Sequence, residues 1–325
     1  MKHNFAYLKK ILLVLFAFVL CLNCFTGCKK IFGKAEPTGA EGGNNDRAPS
    51  TAIVSDTPTE SPTELPVQKE KIKIHFLDVG QGDSAFVELP EGKTMLIDAS
   101  VSKASDKIIS FISQKGYDKI DYLVATHPHA DHIGGMKAVV EAFDIGEIYM
   151  PKATTNTKTY ENLLLAIADK GMKIKAARAG MTICDGVEII APNSEKYDEM
   201  NDYSVVIKIT HHNRKFLFMG DAEVLSEREI MTAGFDVSAD VVKVGHHGSG
   251  TSSGEDFVKA TGAKYAIFSV GEGNSYNHPH HFIVERWGKS GAAVYRTDLS
   301  GDIEVISDGV SLDVKVLGGS YANNN

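Results

Sequence analysis

Four of the six residues in His127-Pro128-His129-Ala130-Asp131-His132 are potential metal ligands, and they follow, after Thr126, on the apolar run Tyr122-Leu123-Val124-Ala125. Imidazole and carboxylate groups at i, i+2, i+4 and i+5 suit a chain that leaves a strand, turns tightly and begins a helix with Asp131 and His132 near its N-terminus. Three of the chain's twelve histidines fall within this stretch, which packing alone does not explain. Two ligands can then address one metal and two its neighbour. A fold that accepts this sequence must end a strand at a place where other ligands can converge.

From Ile72 onward short strands alternate with helical segments. Lys71-Ile72-Lys73-Ile74-His75-Phe76 alternates polar and apolar residues, and strands follow at Ala85–Leu89 and Thr94–Asp98. Helices are predicted around 105–115, 133–143 and 159–170. In the C-terminal half, strands 205–210 and 215–219 make a hairpin around His211-His212-Asn213-Arg214. The pattern fits two sheets packed face to face with helices outside.

Four further blocks carry chemistry: Phe76-Leu77-Asp78-Val79-Gly80-Gln81-Gly82-Asp83-Ser84, Met219-Gly220-Asp221-Ala222-Glu223, Lys243-Val244-Gly245-His246-His247-Gly248-Ser249 and His278-Pro279-His280. With His127–His132, these blocks in this order resemble the metallo-β-lactamase superfamily, and within it the extracellular hydrolase domains of ComEC-type competence proteins, over roughly residues 72–310. The resemblance implies an αββα sandwich and a dinuclear metal hydrolase. It also implies nuclease-like activity on DNA outside the cell.

The N-terminus has the order of a secretory leader, with Lys2, His3, Lys9 and Lys10 before the apolar stretch Ile11–Leu20. Phe25-Thr26-Gly27-Cys28 then resembles a bacterial lipobox, in which Cys28 becomes the acylated first residue, although Phe25 is larger than the residue usual at that place. The alternative is an uncleaved membrane anchor. Both put the remainder at the outer face of a bacterial membrane. Residues 29–71 are rich in small and polar residues and cannot bury enough apolar surface to offset ordering entropy, so they read as a tether. Pro49, Pro58, Pro62 and Pro66 favour an extended one. The hydrolase domain is then 72–325, with Cys184 its single cysteine. No further long apolar run follows, so a membrane channel is not expected, and nothing points to a protein partner.

Placing the metals starts from Asp221, at the end of the apolar strand Phe216–Met219 with Gly220 permitting close approach; it matches the family's bridging aspartate. His246 and His247 end another apolar strand, and adjacent residues on an extended chain point to opposite sides unless the chain bends. His247 is favoured as ligand, with His246 as donor to a bound anion. Asp98 matches the family's early aspartate and is expected to fix the tautomer of a ligating histidine from behind. Asp78 and Asp83 flank a tight turn and are read as bracing it. Many superfamily members carry another histidine before the bridging aspartate. Here only His211 and His212 are available, and the hairpin carries them roughly 15–30 Å away. Asp202 is the expected replacement, with Asn201 second; otherwise His127, His129 and Asp221 hold the first metal alone. The donor set favours two zinc ions, with manganese the alternative.

Two such ions serve hydrolysis, with Asp131 among the catalytic residues. Lys243, His246, Ser249, Thr251 and the Gly248 and Gly250 amides cluster after one strand, which suits phosphate oxygens and favours a phosphodiester substrate. His278 or His280 is expected to touch phosphate or to protonate the leaving group. A formal net charge of −8 argues against a broad cationic surface for duplex DNA. A small choline or wall-polymer phosphodiester is therefore the alternative substrate, ahead of a different ester or a non-catalytic binding module.

Overall fold

The structure is a computed structural model that describes residues 70–318. The leader, the tether as far as residue 69, Cys28 and the last seven residues lie outside the described residues. Fifteen strands form two sheets among the described residues, eight in the order β15-β14-β1-β2-β3-β4-β5-β6 and seven in the order β13-β12-β11-β10-β9-β8-β7. In the first sheet β1 is Ile72–Phe76, β2 Ala85–Glu88, β3 Thr94–Ile97, β4 Lys119–Val124, β5 Asp144–Pro151 and β6 Ile174–Ala177, closed at the far edge by β14 Ile303–Ser307 and β15 Leu312–Val316. The second sheet contains β7 Met181–Cys184, β8 Val187–Ala191, β9 Val206–His211, β10 Arg214–Phe218, β11 Val241–Lys243, β12 Tyr265–Phe268 and β13 Ala293–Arg296.

Alternation along the strands decides the layers. Ile72, Ile74 and Phe76 of β1, Met95 and Ile97 of β3, and Ile207, Ile209, Phe216 and Phe218 of the β9–β10 hairpin meet in one core between the sheets. Phe76 stacks on Phe218 with ring centroids 5.8 Å apart. The intervening residues Phe86, Leu96 and Leu123 face outward beneath α1 Ser105–Gln114, α3 Met136–Ala142 and α4 Lys158–Asp169. Leu217, Val242 and Ala266 pack under α5 Val224–Thr232, α6 Glu255–Thr261 and α7 His281–Lys289. This is the αββα sandwich that the alternation predicts. Among the described residues, no helix is long and apolar enough to cross a membrane.

The helix predicted over 133–143 is broken. A helical turn, α2 Ala130–Ile133, precedes α3, because the amide of Gly135 donates to the carbonyls of Ala99 and Ser100 at 3.2 and 3.0 Å. A Cβ on Gly135 would sit 2.4 Å from the Ala99 oxygen, so only glycine allows the two segments this close. The break turns Asp131 and His132 back towards the end of β3.

β3, β4, β5 and β6 run parallel in one sheet, and β10, β11, β12 and β13 run parallel in the other. Their C-terminal ends gather at one edge of the sandwich. Side chains that the two sheets deliver from loops far apart in sequence meet there.

Candidate metal centre

At the end of β4, His127 is fully buried and its Nε2 lies 2.9 Å from Nδ1 of His129. The two rings thus bring their nitrogens to one place. Burial and the neighbouring His132 push the pKa of His127 well below its ordinary value, which keeps it neutral. His132, on α2, is also fully buried and presents its two nitrogens to different groups. Nδ1 is 2.7 Å from Asp98 Oδ2, and Nε2 is 3.1 Å from Asp221 Oδ2. Asp98 has a left-handed backbone, with φ of 59°, and accepts from the amide and hydroxyl of Thr126 at 2.8 and 2.6 Å. These bonds clamp the carboxylate so that it takes the Nδ1–H of His132 and turns Nε2 towards Asp221, where it is the nitrogen a metal would take.

Asp221 follows β10 after Gly220, whose φ is 53° and whose Cβ, were there one, would lie 2.9 Å from the Thr126 side chain. The absent side chain lets the two sheets close on each other at the site. Burial alone would raise the Asp221 carboxyl, but the charges on His132 and His247 outweigh it and hold it well below the usual range. His246 and His247 both have positive φ, 49° and 52°, so the chain bends and both rings can face the centre. His247 is buried, with Nε2 3.3 Å from Asp131 Oδ2 and 3.5 Å from Asp221 Oδ2. His246 is partly exposed, with Nε2 3.9 Å from Asp221 Oδ2.

The ligand atoms of Asp131, His132, Asp221 and His247 lie within 4.8 Å of one another. His132 Nε2, His247 Nε2 and Asp221 Oδ1 are buried without a hydrogen-bond partner. Buried polar atoms are ordinarily satisfied, and unpartnered atoms on three residues of one tight cluster fit a divalent cation. His127, His129 and Asp221 offer a second set of donors beside the first, with His127 Nε2 3.8 Å from Asp221 Oδ2.

Four sequence expectations need correction. Asp202 does not face the metals: its Oδ1 accepts from the amides of Glu223 and Ser226 at 3.2 and 3.3 Å. The first turn of α5 has amides to satisfy and no side-chain cap at its preceding residue, and the buried carboxylate supplies one. Asn201 instead donates to Glu223 Oε1 at 3.0 Å and lies 3.4 Å from both ring nitrogens of His246. Lys243 is not offered to a substrate, because it is buried in an ion pair with Asp83 at 2.8 Å. The Gly250 amide is not open to phosphate, since it donates to His280 Nδ1 at 2.8 Å, and that ring nitrogen is thereby committed as an acceptor. Ser249 and Thr251 bond each other, Oγ to Oγ1, at 3.1 Å. Thr251 Oγ1 also lies 3.0 Å from His246 Nδ1, so the loop first of all holds that histidine.

The sequence assigns no role to Glu223 or Tyr276, and reads Asp83 only as bracing a turn. Glu223 accepts from Asn201 and Thr251, and its Oε1 lies 3.2 Å from His246 Nδ1, so it orients His246 towards the centre. Asp83 Oδ1 lies 3.1 Å from His247 Nδ1. Tyr276, 61% exposed, stacks on His278 with centroids 5.7 Å apart. Glu223 sits two residues from Asp221 in a block that was already conspicuous, which was the available signal. His278 itself stands 5.5 Å from the His246 ring, and burial together with His246 and His247 pushes its pKa down to about 4. It is therefore neutral near pH 7. His211 and His212 lie at the tip of the β9–β10 hairpin, at the opposite end of β10 from Asp221.

Residues 77–272 match the sequence profile described as the metallo-beta-lactamase superfamily. The chain belongs to that superfamily. Its curated relatives include ComE operon protein 3 of Bacillus subtilis (strain 168), 30% identical over 252 residues that cover 71% of this chain and 32% of that protein. Competence protein ComA of Neisseria gonorrhoeae is 28% identical over 241 residues, covering 73% and 33%. The chain thus spans about a third of the length of these relatives. Among solved structures, Igni18, a metallo hydrolase of Ignicoccus hospitalis KIN4/I, aligns with a TM-score of 0.48 at 14% identity, over 72% of this chain and 98% of that one. As a member of the superfamily, the chain has a metal-dependent hydrolase fold and a His/Asp cluster able to bind metal ions.

Proposed function

We propose that this superfamily member is a dinuclear-metal phosphodiesterase of nuclease type, acting at the outer face of a bacterial membrane to which acylated Cys28 anchors it. The observation that carries the hydrolytic reading is the 4.8 Å cluster of Asp131, His132, Asp221 and His247, with unpartnered buried atoms on the last three, beside the His127–His129 pair. His127, His129 and Asp221 would hold one ion and Asp131, His132, Asp221 and His247 the other, with zinc favoured by the imidazole donors and manganese the alternative. When bound, the ion pair supplies Lewis acidity and an activated water. His246, held from behind by Glu223 and Thr251, presents Nε2 to a substrate oxygen. His278 at the rim donates a hydrogen bond to the phosphate or its leaving group from a neutral ring.

Relatives named for competence and recombination support DNA as the substrate. So does Tyr276, whose exposed ring can stack on a base. One observation favours the second reading, a small choline or wall-polymer phosphodiester: Lys243 is withdrawn into the interior, which leaves the site without its expected cation.

The test is hydrolysis of bis-p-nitrophenyl phosphate, single-stranded DNA and a choline phosphodiester by the full chain with metal analysis. Asp131→Ala and Asp221→Ala should each remove nearly all turnover; unchanged turnover in either refutes the two-metal reading. Preference for the choline ester over DNA would select the second substrate. Acyl labelling that persists in Cys28→Ala would refute the anchor.

A further inference from the structure

Lys243 ends β11, and its ammonium is nearly out of reach of solvent. Nζ lies 2.8 Å from Asp83 Oδ2 and donates to the Val244 carbonyl at 2.8 Å, with the Lys243 and Asp83 side chains 4% and 7% exposed. The other oxygen of Asp83 lies 3.1 Å from His247 Nδ1 as an ion-pair neighbour and has no hydrogen-bond partner among the described residues, while that nitrogen bonds the Ser269 carbonyl at 2.9 Å. His247 Nε2 in turn faces Asp131 and Asp221. Lys243, Asp83 and His247 therefore form a line from the interior to the metal centre.

Stability alone is a weak reason for such a pair, because desolvating both charges takes back much of their attraction. The surroundings give a better one. Carboxylate oxygens of Asp83 and Asp98 lie with a ring nitrogen of His132 inside a 4.8 Å cluster, directly behind the atoms that face the centre. Among the described residues, Lys243 is the only lysine or arginine within ion-pair distance of Asp83, Asp98, Asp131 or Asp221. The backbone offers Asp83 a fixed seat: its amide donates to the Asp131 carbonyl at 3.1 Å, and its carbonyl accepts from Ser100 at 2.8 Å. Gly82 has no room for a side chain there, since a Cβ would come within 2.4 Å of the Asp131 oxygen. What the backbone leaves free is the rotation of the carboxylate.

We propose that Lys243 is a positioning residue for the metal centre. Its buried ammonium pins one oxygen of Asp83 so that the charge of the other stays beside Nδ1 of His247, whose N–H goes to the Ser269 carbonyl, and this sets how tightly Nε2 of His247 holds a divalent ion. The inference rests on the reading of this site as a metal centre. It replaces the substrate contact that the sequence suggests for Lys243.

The experiment measures divalent-ion affinity by competition with a chromophoric chelator, zinc and manganese in separate runs, on the full chain and on Lys243→Met, Asp83→Asn and the double variant, with thermal unfolding of each metal-free protein alongside. Loss of an outer partner of a ligating histidine weakens metal binding by about 10–100-fold, and each variant is expected to lose affinity by at least about tenfold at one of the two ions. The double variant removes both charges together and should unfold at a higher temperature than Lys243→Met while still binding the ion weakly. Affinity within about twofold of the natural chain in the double variant would overturn the proposal and leave the pair a structural one. Tighter binding in Lys243→Met would also overturn it, since the ammonium would then act only by repelling the ions. A natural chain that binds neither metal would instead remove the centre itself, an outcome distinct from both.

Discussion

Asp202→Ala separates two uses of one carboxylate. Asp202 is 3% exposed, and its Oδ1 accepts from both the Glu223 and Ser226 amides. Truncation removes a cap, typically worth about 1 kcal/mol. It also strands the amide of Ser226, a fully buried residue, at a further cost on the order of 1–3 kcal/mol. A total loss of about 2–4 kcal/mol is expected, which for a domain of this size lowers the melting temperature by about 4–16 °C. Because both hydrogen bonds end on the same oxygen, Asp202→Asn keeps them and should cost less than about 1 kcal/mol. Metal content should stay unchanged in both variants. Denaturant unfolding and elemental analysis on the same preparations check this. A fall towards one ion per chain in Asp202→Asn, with stability preserved, would refute the capping role and restore the ligand role.

Asp98→Asn should weaken metal binding by about 10–100-fold, because an amide cannot accept from both Thr126 and His132 in the way the carboxylate does. Histidine nitrogen NMR reads the tautomer of His132, and an unaltered tautomer would contradict the mechanism. Glu227 offers a pH test: burial raises its carboxyl from 4.5 to about 7, while the Ser253 and Gly254 amides pull it back. A folded pKa above the unfolded one means that the stabilisation is complete below about pH 4.5 and is lost as pH rises through 7, about 3 kcal/mol in all. Glu227→Gln should flatten the dependence of unfolding free energy on pH across that window, and an unchanged slope would assign it to other groups.

Residues close in sequence, or tied to strand ends, are legible in the sequence alone. His127, His129, Asp131 and His132 come together because a strand end, a turn and one helical turn are local geometry, and the spacing of the four is enough to specify them. Period-two alternation in 71–76 and the apolar hairpin strands likewise announced two half-buried sheets. Asp221 and Asp98 stood out because each follows an apolar strand, and strand ends are where a sandwich exposes functional groups.

The partners of those residues are another matter. The direction of β9 places Asp202 at the right end of its strand, but its side chain serves the free amides of α5, an end-of-helix demand that exists only because α5 starts beside it in space. Lys243 looked like a phosphate contact because it precedes two histidines, yet its strand turns it inward onto Asp83, which is 160 residues earlier and in the other sheet's loop. The spacing of histidines and aspartates therefore determined what chemistry this chain can support. Which carboxylate holds which imidazole, and which lysine is spent in the interior, was decided only by the packing of two sheets, because hydrogen-bond partners are chosen by proximity in space and the loops that meet at this edge are separated along the chain by most of its length.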